Sequence, residues 1–175
     1  MSRPVRVRVR PPRPSDVPAY ARAVVRSAER IGVWNPVDPD GLPDLLRRQG
    51  PGLRTFLVID SAEGGIVGKC NVANIVRVRF RNATLGYESY LPYSGSGRMT
   101  EGMQLVVDRC FAPQPGGLGL HRLEINVQPE NSRSIALAKR LGFRREGFSP
   151  RMLYLNDAWQ DHERYALTAE EWPGV

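Results

Sequence analysis

Residues Leu118–Phe148 read LGLHRLEINVQPENSRSIALAKRLGFRREGF, and this stretch decides the fold. Leu123, Ile125 and Val127 alternate with polar residues, the period of a half-buried strand. Pro129 stops that strand. Asn131 or Ser132 is a suitable N-cap for the helix that follows. Its apolar face is Ile135, Ala138 and Leu141, at helical spacing. Gly142 closes the helix, and Phe143 opens another strand. A helix thus carries the chain from one strand to the next.

Downstream, two strands are expected over 143–155 and 159–167, joined by the turn Asn156-Asp157-Ala158. Upstream, Val5, Val7 and Val9 alternate with Arg6, Arg8 and Arg10, a strand that Pro11, Pro12 and Pro14 end. Ser15 reads as the N-cap of a helix with Asp16 in its first turn. Ala21, Val24, Val25, Ala28 and Ile31 are its expected inner face, and Gly32 its end. Asn35–Pro43 is loop, with a short helix over 43–49. Thr55–Asp60 and Ile66–Val72 form a hairpin around the turn 61–65, and Val76–Phe80 is read as continuing that antiparallel run. Ala83–Leu91 is a further strand. After a break at 92–97, Met99, Met103, Val106, Val107 and Cys110 mark the buried face of another helix, and 112–119 is a Pro/Gly loop. Hairpins join the early strands and helices the later ones, which implies a mixed sheet with helices on its faces.

The chain has 175 residues, 41% of them hydrophobic, enough for one domain with its own core. No unbroken apolar stretch reaches the length of a membrane span, and the Arg-rich beginning lacks the apolar region of a signal peptide. Cys70 and Cys110 have no metal or redox spacing. A reduced cytoplasmic setting is expected, with no metal. The net charge of +7 rests on 23 Arg and two Lys. Arg3, Arg6, Arg8, Arg10 and Arg13 all precede the first acid, Asp16. Attraction to polyanions such as a CoA phosphate or RNA is one reading. A solvated strand face is the other, and it is favoured.

Gly95 and Gly97 lie between a strand and a helix. Glycine permits positive-φ backbone and close approach of a ligand. The first N–H groups of a helix lack partners within it, and its dipole favours an anion there. The loop Ser94-Gly95-Ser96-Gly97-Arg98-Met99, with Thr100, is therefore a candidate phosphate cradle built from main-chain amides. The Walker spacing and Gly-x-Gly-x-x-Gly are both absent.

LGYESYLPYSGSGRMTEG (85–102), the 118–148 stretch and WQDHERYAL (159–167) together resemble the RimJ/RimL branch of the GCN5-related N-acetyltransferase (GNAT) superfamily, over essentially the whole chain, 1–175. The resemblance implies a single α/β (α+β type) domain with a mixed, mostly antiparallel, splayed sheet of six to seven strands and about four helices. It implies that the sheet parts between its fourth and fifth strands. Acyl-CoA then lies in the gap, against the edge Glu88–Leu91, with its pyrophosphate on Ser94–Thr100. Against the family pattern Gln/Arg-x-x-Gly-x-Gly/Ala, Ser94 holds the first position, Gly97 the first Gly and Met99 the last. The amides survive these changes and a side-chain donor is lost. Arg98 is a candidate replacement.

By the same resemblance, Asn131 faces pantetheine amides and Ser134 lies near the CoA sulfur, where a hydroxyl assists the departing thiolate. Capping and local bonding are the structural alternatives for these two residues. A backbone N–H near Tyr90 or Leu91 is the expected partner of the thioester carbonyl. Some relatives place a Glu where this chain has Leu153, so Glu88 is the candidate base, with Glu101, Glu124 or a water relay behind it. His121 and His162 are expected to be structural, the two cysteines core thiols, and Trp34, Trp159 and Tyr165 core or pocket lining. The implied activity is acetyl transfer from acetyl-CoA, or another acyl-CoA, to an amine: a ribosomal protein N-terminus or a small molecule. Asp38, Asp40, Asp44 and Glu88 are candidates for an acidic acceptor pocket. The competing expectation is a non-catalytic CoA- or RNA-binding member of the family. Monomer and homodimer both stay open.

Overall fold

The computed structural model describes residues 5–174. Arg3 of the N-terminal arginine series lies outside them. The elements run β1 (Val7–Arg10), a 3-10 turn (Pro14–Asp16), α1 (Val17–Ile31), α2 (Leu42–Arg48), β2 (Leu53–Asp60), β3 (Ile66–Val76), β4 (Asn82–Ser89), α3 (Arg98–Phe111), β5 (Arg122–Val127), α4 (Ser132–Arg140), β6 (Arg144–Leu155) and β7 (Ala158–Thr168). The seven strands form one sheet in the order β1-β2-β3-β4-β5-β7-β6, antiparallel except for the β4–β5 pair. This is the expected mixed, mostly antiparallel sheet with four α-helices.

Both faces are covered. Val7, Val9, Val58, Val72, Leu85, Leu123 and Ile125 pack with Met103, Val106 and Val107 of α3 and Leu137 and Ala138 of α4. On the other face Leu57, Ile59 and Ile66 pack with Tyr20, Val24 and Ile31 of α1 and Leu42 of α2. Alternation within β1 explains how it closes the edge: Val7 and Val9 are buried, while Arg8 is exposed. Arg6 pairs with Glu101 and Arg10 with Asp16, so two of the N-terminal arginines are held by carboxylates of this chain. The Arg10 hydrogen bond holds the Asp16 carboxyl below its usual pKa.

Several boundaries differ from the sequence expectation. Ser15 makes no cap, and the Asp16 carboxylate instead accepts from the Arg13 N–H at 2.7 Å. The buried stripe of α1 is Tyr20, Val24, Ser27 and Ile31, while Val25 is 63% exposed. A residue next to Val24 is rotated about 100° around the helix and leaves the core. Polar Ser27 is buried because its Oγ donates to Ala23 O at 2.8 Å and accepts from Leu91 N at 2.9 Å. It thereby ties α1 to the segment after β4. β3 runs on to Val76, and 77–80 turn rather than continue the ladder. β4 stops at Ser89, so Tyr90 and Leu91 lie beyond it.

The sheet parts where expected. β4 and β5 pair only through Asn82–Thr84 and Arg122–Glu124, while β5 stays paired with β7 along its length. From Leu85 onward β4 therefore has a partner on the β3 side only. α3 is pressed close to β2 because Gly102 has no side chain. A Cβ there would meet Val58 Cγ1 at 2.4 Å. Gly102→Ala should destabilise the fold by about 1–3 kcal/mol through overpacking, despite the ~1 kcal/mol that Ala contributes to a helix. A denaturant midpoint equal to or above that of the wild type would contradict this packing.

Candidate active site

The loop before α3 has the backbone its glycines permit. Gly95 and Gly97 sit at φ +83° and +81°, and Gly97 is the N-cap of α3. The loop is braced from within: Ser96 Oγ donates to Tyr93 O at 2.6 Å, and Arg6 donates to Ser96 O at 3.2 Å. The N–H groups of Gly95, Gly97, Met99 and Thr100 find no backbone acceptor among the described residues. All four residues line one cleft of about 510 Å³, together with Tyr87, Glu88 and Ser89 of β4, Asn131 and Ser134 of α4, and Trp34.

The side chains of Ser94, Ser96 and Arg98 are turned to other work. Ser94 Oγ lies 3.3 Å from Ser89 Oγ. Arg98 Nε donates to buried Asp60 at 2.6 Å, and the guanidinium lies over the Tyr93 ring. The Nε of Arg98 is thus committed to Asp60, and Arg98 is not among the residues that line the cleft. It braces the loop against the end of β2, where the Glu63 N–H above all, then Arg98 and the Ala62 N–H, hold the Asp60 pKa low against burial. Arginines do reach the cleft, but they are Arg30, Arg133 and Arg140. Burial, followed by the neighbouring Arg133, lowers the Arg30 pKa. The sequence carried no signal for these three beyond their charge.

The expected carbonyl partners are corrected. Tyr90 N donates to Val67 O at 2.8 Å and Leu91 N to Ser27 Oγ, so neither amide is free. Tyr90 itself is wholly buried. In an antiparallel ladder, alternate residues face the same neighbour. With Tyr90 bonded to β3, the amides of Glu88 and Gly86 face β3 too. The main-chain groups of Ser89 and Tyr87 then face the opening beside β5. The open edge is thus Leu85–Ser89 rather than Glu88–Leu91.

Glu88 sits in a buried polar network. Its Oε1 pairs with Lys69 Nζ at 2.9 Å and accepts from Tyr90 Oη at 2.8 Å. Lys69 also donates to Tyr20 Oη at 3.0 Å. Side-chain exposure is only 6% for Lys69 and 9% for Glu88. Burial works against the Lys69 ammonium, yet Glu88 and Tyr20 outweigh it and its pKa is raised. The Tyr90 phenol is pushed well up by burial and by Glu88. Oε2 of Glu88 makes no hydrogen bond among the described residues. Glu88 lines both the main cleft and a second one of about 400 Å³, which Tyr20, Val37, Asp38, Asp44, Leu45, Arg48 and Lys69 also line. Asn35 is shared as well. Asp44 is paired with Arg47 and Arg48, and Asp40 donates its N–H to Asp38. Lys69→Met alone should cost about 3–5 kcal/mol by leaving Glu88 buried without a counter-ion. Adding Glu88→Leu should recover most of that in urea unfolding. A single-variant loss below about 1 kcal/mol would contradict the ion pair.

Asn131 caps α4, its Oδ1 accepting from Ser134 N at 3.2 Å, and it also lines the cleft. Ser134 Oγ lies 2.9 Å from Tyr87 Oη. The remaining candidates fall outside. Glu101 pairs with Arg6 and Glu124 with Arg122. Leu153 is exposed on β6. His121 meets Glu170 at 2.9 Å on the surface, and buried His162 lies 3.0 Å from Gln160 O. Cys70 and Cys110 are core thiols, with burial pushing Cys110 up to about 12. Tyr165 is core, whereas Trp159 is exposed and stacks edge-on against Tyr154. Trp34 lines the cleft because its segment is pinned: Gln128 donates to Trp34 O at 2.8 Å, and Asn156 donates to Gly32 O and Val33 O.

A mixed sheet parted between β4 and β5, with a glycine loop of free amides at the mouth of the gap, is the architecture of an acetyltransferase of the GNAT class. Residues 6–144 match the family described as the acetyltransferase (GNAT) domain, and the chain belongs to that family. Among its relatives is the [ribosomal protein uS5]-alanine N-acetyltransferase of Escherichia coli, 35% identical over 120 residues, 68% of this chain and 60% of that protein. The match thus spans about three fifths of the relative's length. Mycobacterium smegmatis RimJ, solved in complex with CoA-disulfide, superposes with a TM-score of 0.83 at 30% identity, covering 97% of this chain and 85% of that one. The ribosomal-protein-S5-alanine acetyltransferase of Vibrio fischeri gives 0.80 at 27% identity, over 95% of each chain. No helix among the described residues is long and apolar enough to cross a membrane.

Proposed function

We propose that this chain, as a single domain, is an acyl-CoA-dependent N-acyltransferase that moves an acetyl group from acetyl-CoA to a primary amine. The observation that carries this reading is the cleft itself. The free amides of Gly95, Gly97, Met99 and Thr100, the unpaired edge of β4 and Ser134 all open onto one space. The relative solved with CoA-disulfide and the relatives named as ribosomal-protein acetyltransferases support the donor and the reaction class.

In this account the amides of Gly95, Gly97, Met99 and Thr100 hold the pyrophosphate at the positive end of α3. The main-chain groups of Tyr87 and Ser89 pair with the pantetheine amides, with Asn131 on the opposite wall. An amine entering by the second cleft meets Glu88, which lines both clefts. Glu88 Oε2 takes the proton the amine sheds, directly or through water, and Ser134 donates a hydrogen bond to sulfur as the C–S bond breaks. The C–N bond forms as the C–S bond breaks; Glu88 passes its proton to solvent and the thiolate takes one back from solvent, so Ser134 keeps its proton and the transfer is proton-neutral overall. Most of the rate comes from holding the two substrates in line.

The acceptor is a protein N-terminus, as the uS5-alanine relatives suggest, or a small-molecule amine. Incubation with acetyl-CoA and peptides beginning with Ala or Ser, alongside polyamines, should release free CoA with at least one of them. Binding of acetyl-CoA with no CoA release across the panel would leave the non-catalytic alternative.

A further inference from the structure

We propose that Tyr87 is a positioning residue for the thioester end of the cleft: by donating its phenolic proton to Ser134 Oγ, it leaves the serine O–H free to aim at the acyl-CoA sulfur. The inference rests on the acyl-CoA reading above.

Tyr87 stands on β4 and Ser134 on α4, so the contact spans the two sides of the parted sheet. Both residues line the main cleft. The hydroxyl oxygens are 2.9 Å apart, and among the described residues the one further acceptor near the phenol is the Ser134 carbonyl at 3.4 Å. A buried phenol seeks an acceptor for its proton. Burial, partly offset by the bond to Ser134, pushes Tyr87 up to about 12, so it keeps that proton throughout the working range. Of its two acceptors the serine hydroxyl is the nearer, and we take Tyr87 as the donor and Ser134 Oγ as the acceptor. A hydroxyl has one proton and two lone pairs. With a lone pair occupied by Tyr87, the Ser134 proton is left to point into the cleft, where no acceptor of this chain takes it among the described residues. Were the direction reversed, the serine proton would be turned from the sulfur.

Calorimetry with CoA and desulfo-CoA at about pH 7 and about pH 9.5, on either side of the ordinary thiol pKa, tests this without an acceptor. A donor at the sulfur favours the thiolate. Wild type should prefer CoA to desulfo-CoA about tenfold more strongly at the higher pH. Tyr87→Phe should lose most of that gain, Ser134→Ala all of it, and the double variant should match Ser134→Ala. In turnover, Tyr87→Phe should lower kcat about tenfold with KM for acetyl-CoA within about twofold. A wild-type preference retained in Tyr87→Phe overturns the proposal. So does a Tyr87→Phe loss that is as large on the Ser134→Ala background, because the tyrosine would then act by general packing. A wild-type protein that binds neither compound overturns the acyl-CoA reading itself and this inference with it. Binding with no Tyr87 effect overturns only the inference.

Discussion

Replacing Gly97 by Val should raise the Kd for acetyl-CoA by about a hundredfold or more. Gly97 holds φ +81° as the N-cap of α3, a conformation that a β-branched residue tolerates poorly. A Cβ there meets little protein, since the nearest atom is the flexible end of Arg6 at 3.2 Å. The effect is therefore on backbone and ligand rather than on packing. A shift of the loop takes the Gly97 and Met99 amides off the phosphate, and hydrogen bonds to charged groups are worth about 1.5–3 kcal/mol each. Strain of about 1–3 kcal/mol lowers stability as well, so affinity is to be measured where circular dichroism shows the variant folded. A Kd within a few-fold of the wild type would remove the loop from the phosphate site.

The second large effect is on turnover. Glu88→Gln should lower kcat by about a hundredfold or more, the scale of a lost general base, with KM for acetyl-CoA little changed. Its geometry favours the role: Oε1 is held by Lys69 and Tyr90, and the carboxylate lines both clefts. The variant strands the Lys69 ammonium in a buried site, so some loss of stability accompanies the loss of rate. The pH–rate profile separates the two. A base removed changes the shape of the profile, whereas a protein merely destabilised keeps it. An unchanged profile would assign Glu88 to structure.

What could be read from the sequence, and what could not, follows from range. The period of two in Leu123–Val127 and the capped helix after Asn131 are local, and the structure reproduces both. The Gly95/Gly97 loop was legible for the same reason, because positive φ is a property of single residues. Lys69 was missed because a lone Lys within Ile66–Val72 looks like an interruption of a core strand. Its meaning comes from the β3–β4 register, which sets Lys69 opposite Glu88. Tyr87 likewise reads as an apolar strand residue until α4 brings Ser134 to it. The bond from Arg98 to Asp60 was not legible because Asp60 lies on β2, and the free edge of β4 was placed on Glu88–Leu91 because strand parity is set by the pairing with β3. These four depend on contacts between residues far apart in sequence.

The most direct test of the central claim is the time course of free CoA when the protein meets acetyl-CoA and an Ala-initiated peptide, with mass spectrometry of the peptide in parallel. The account predicts CoA release above the no-peptide background, matched one for one by acetyl groups on the peptide's N-terminal amine or, if the acceptor is small, on a polyamine in its place. Tight acetyl-CoA binding with no acetylated amine from either class would contradict it.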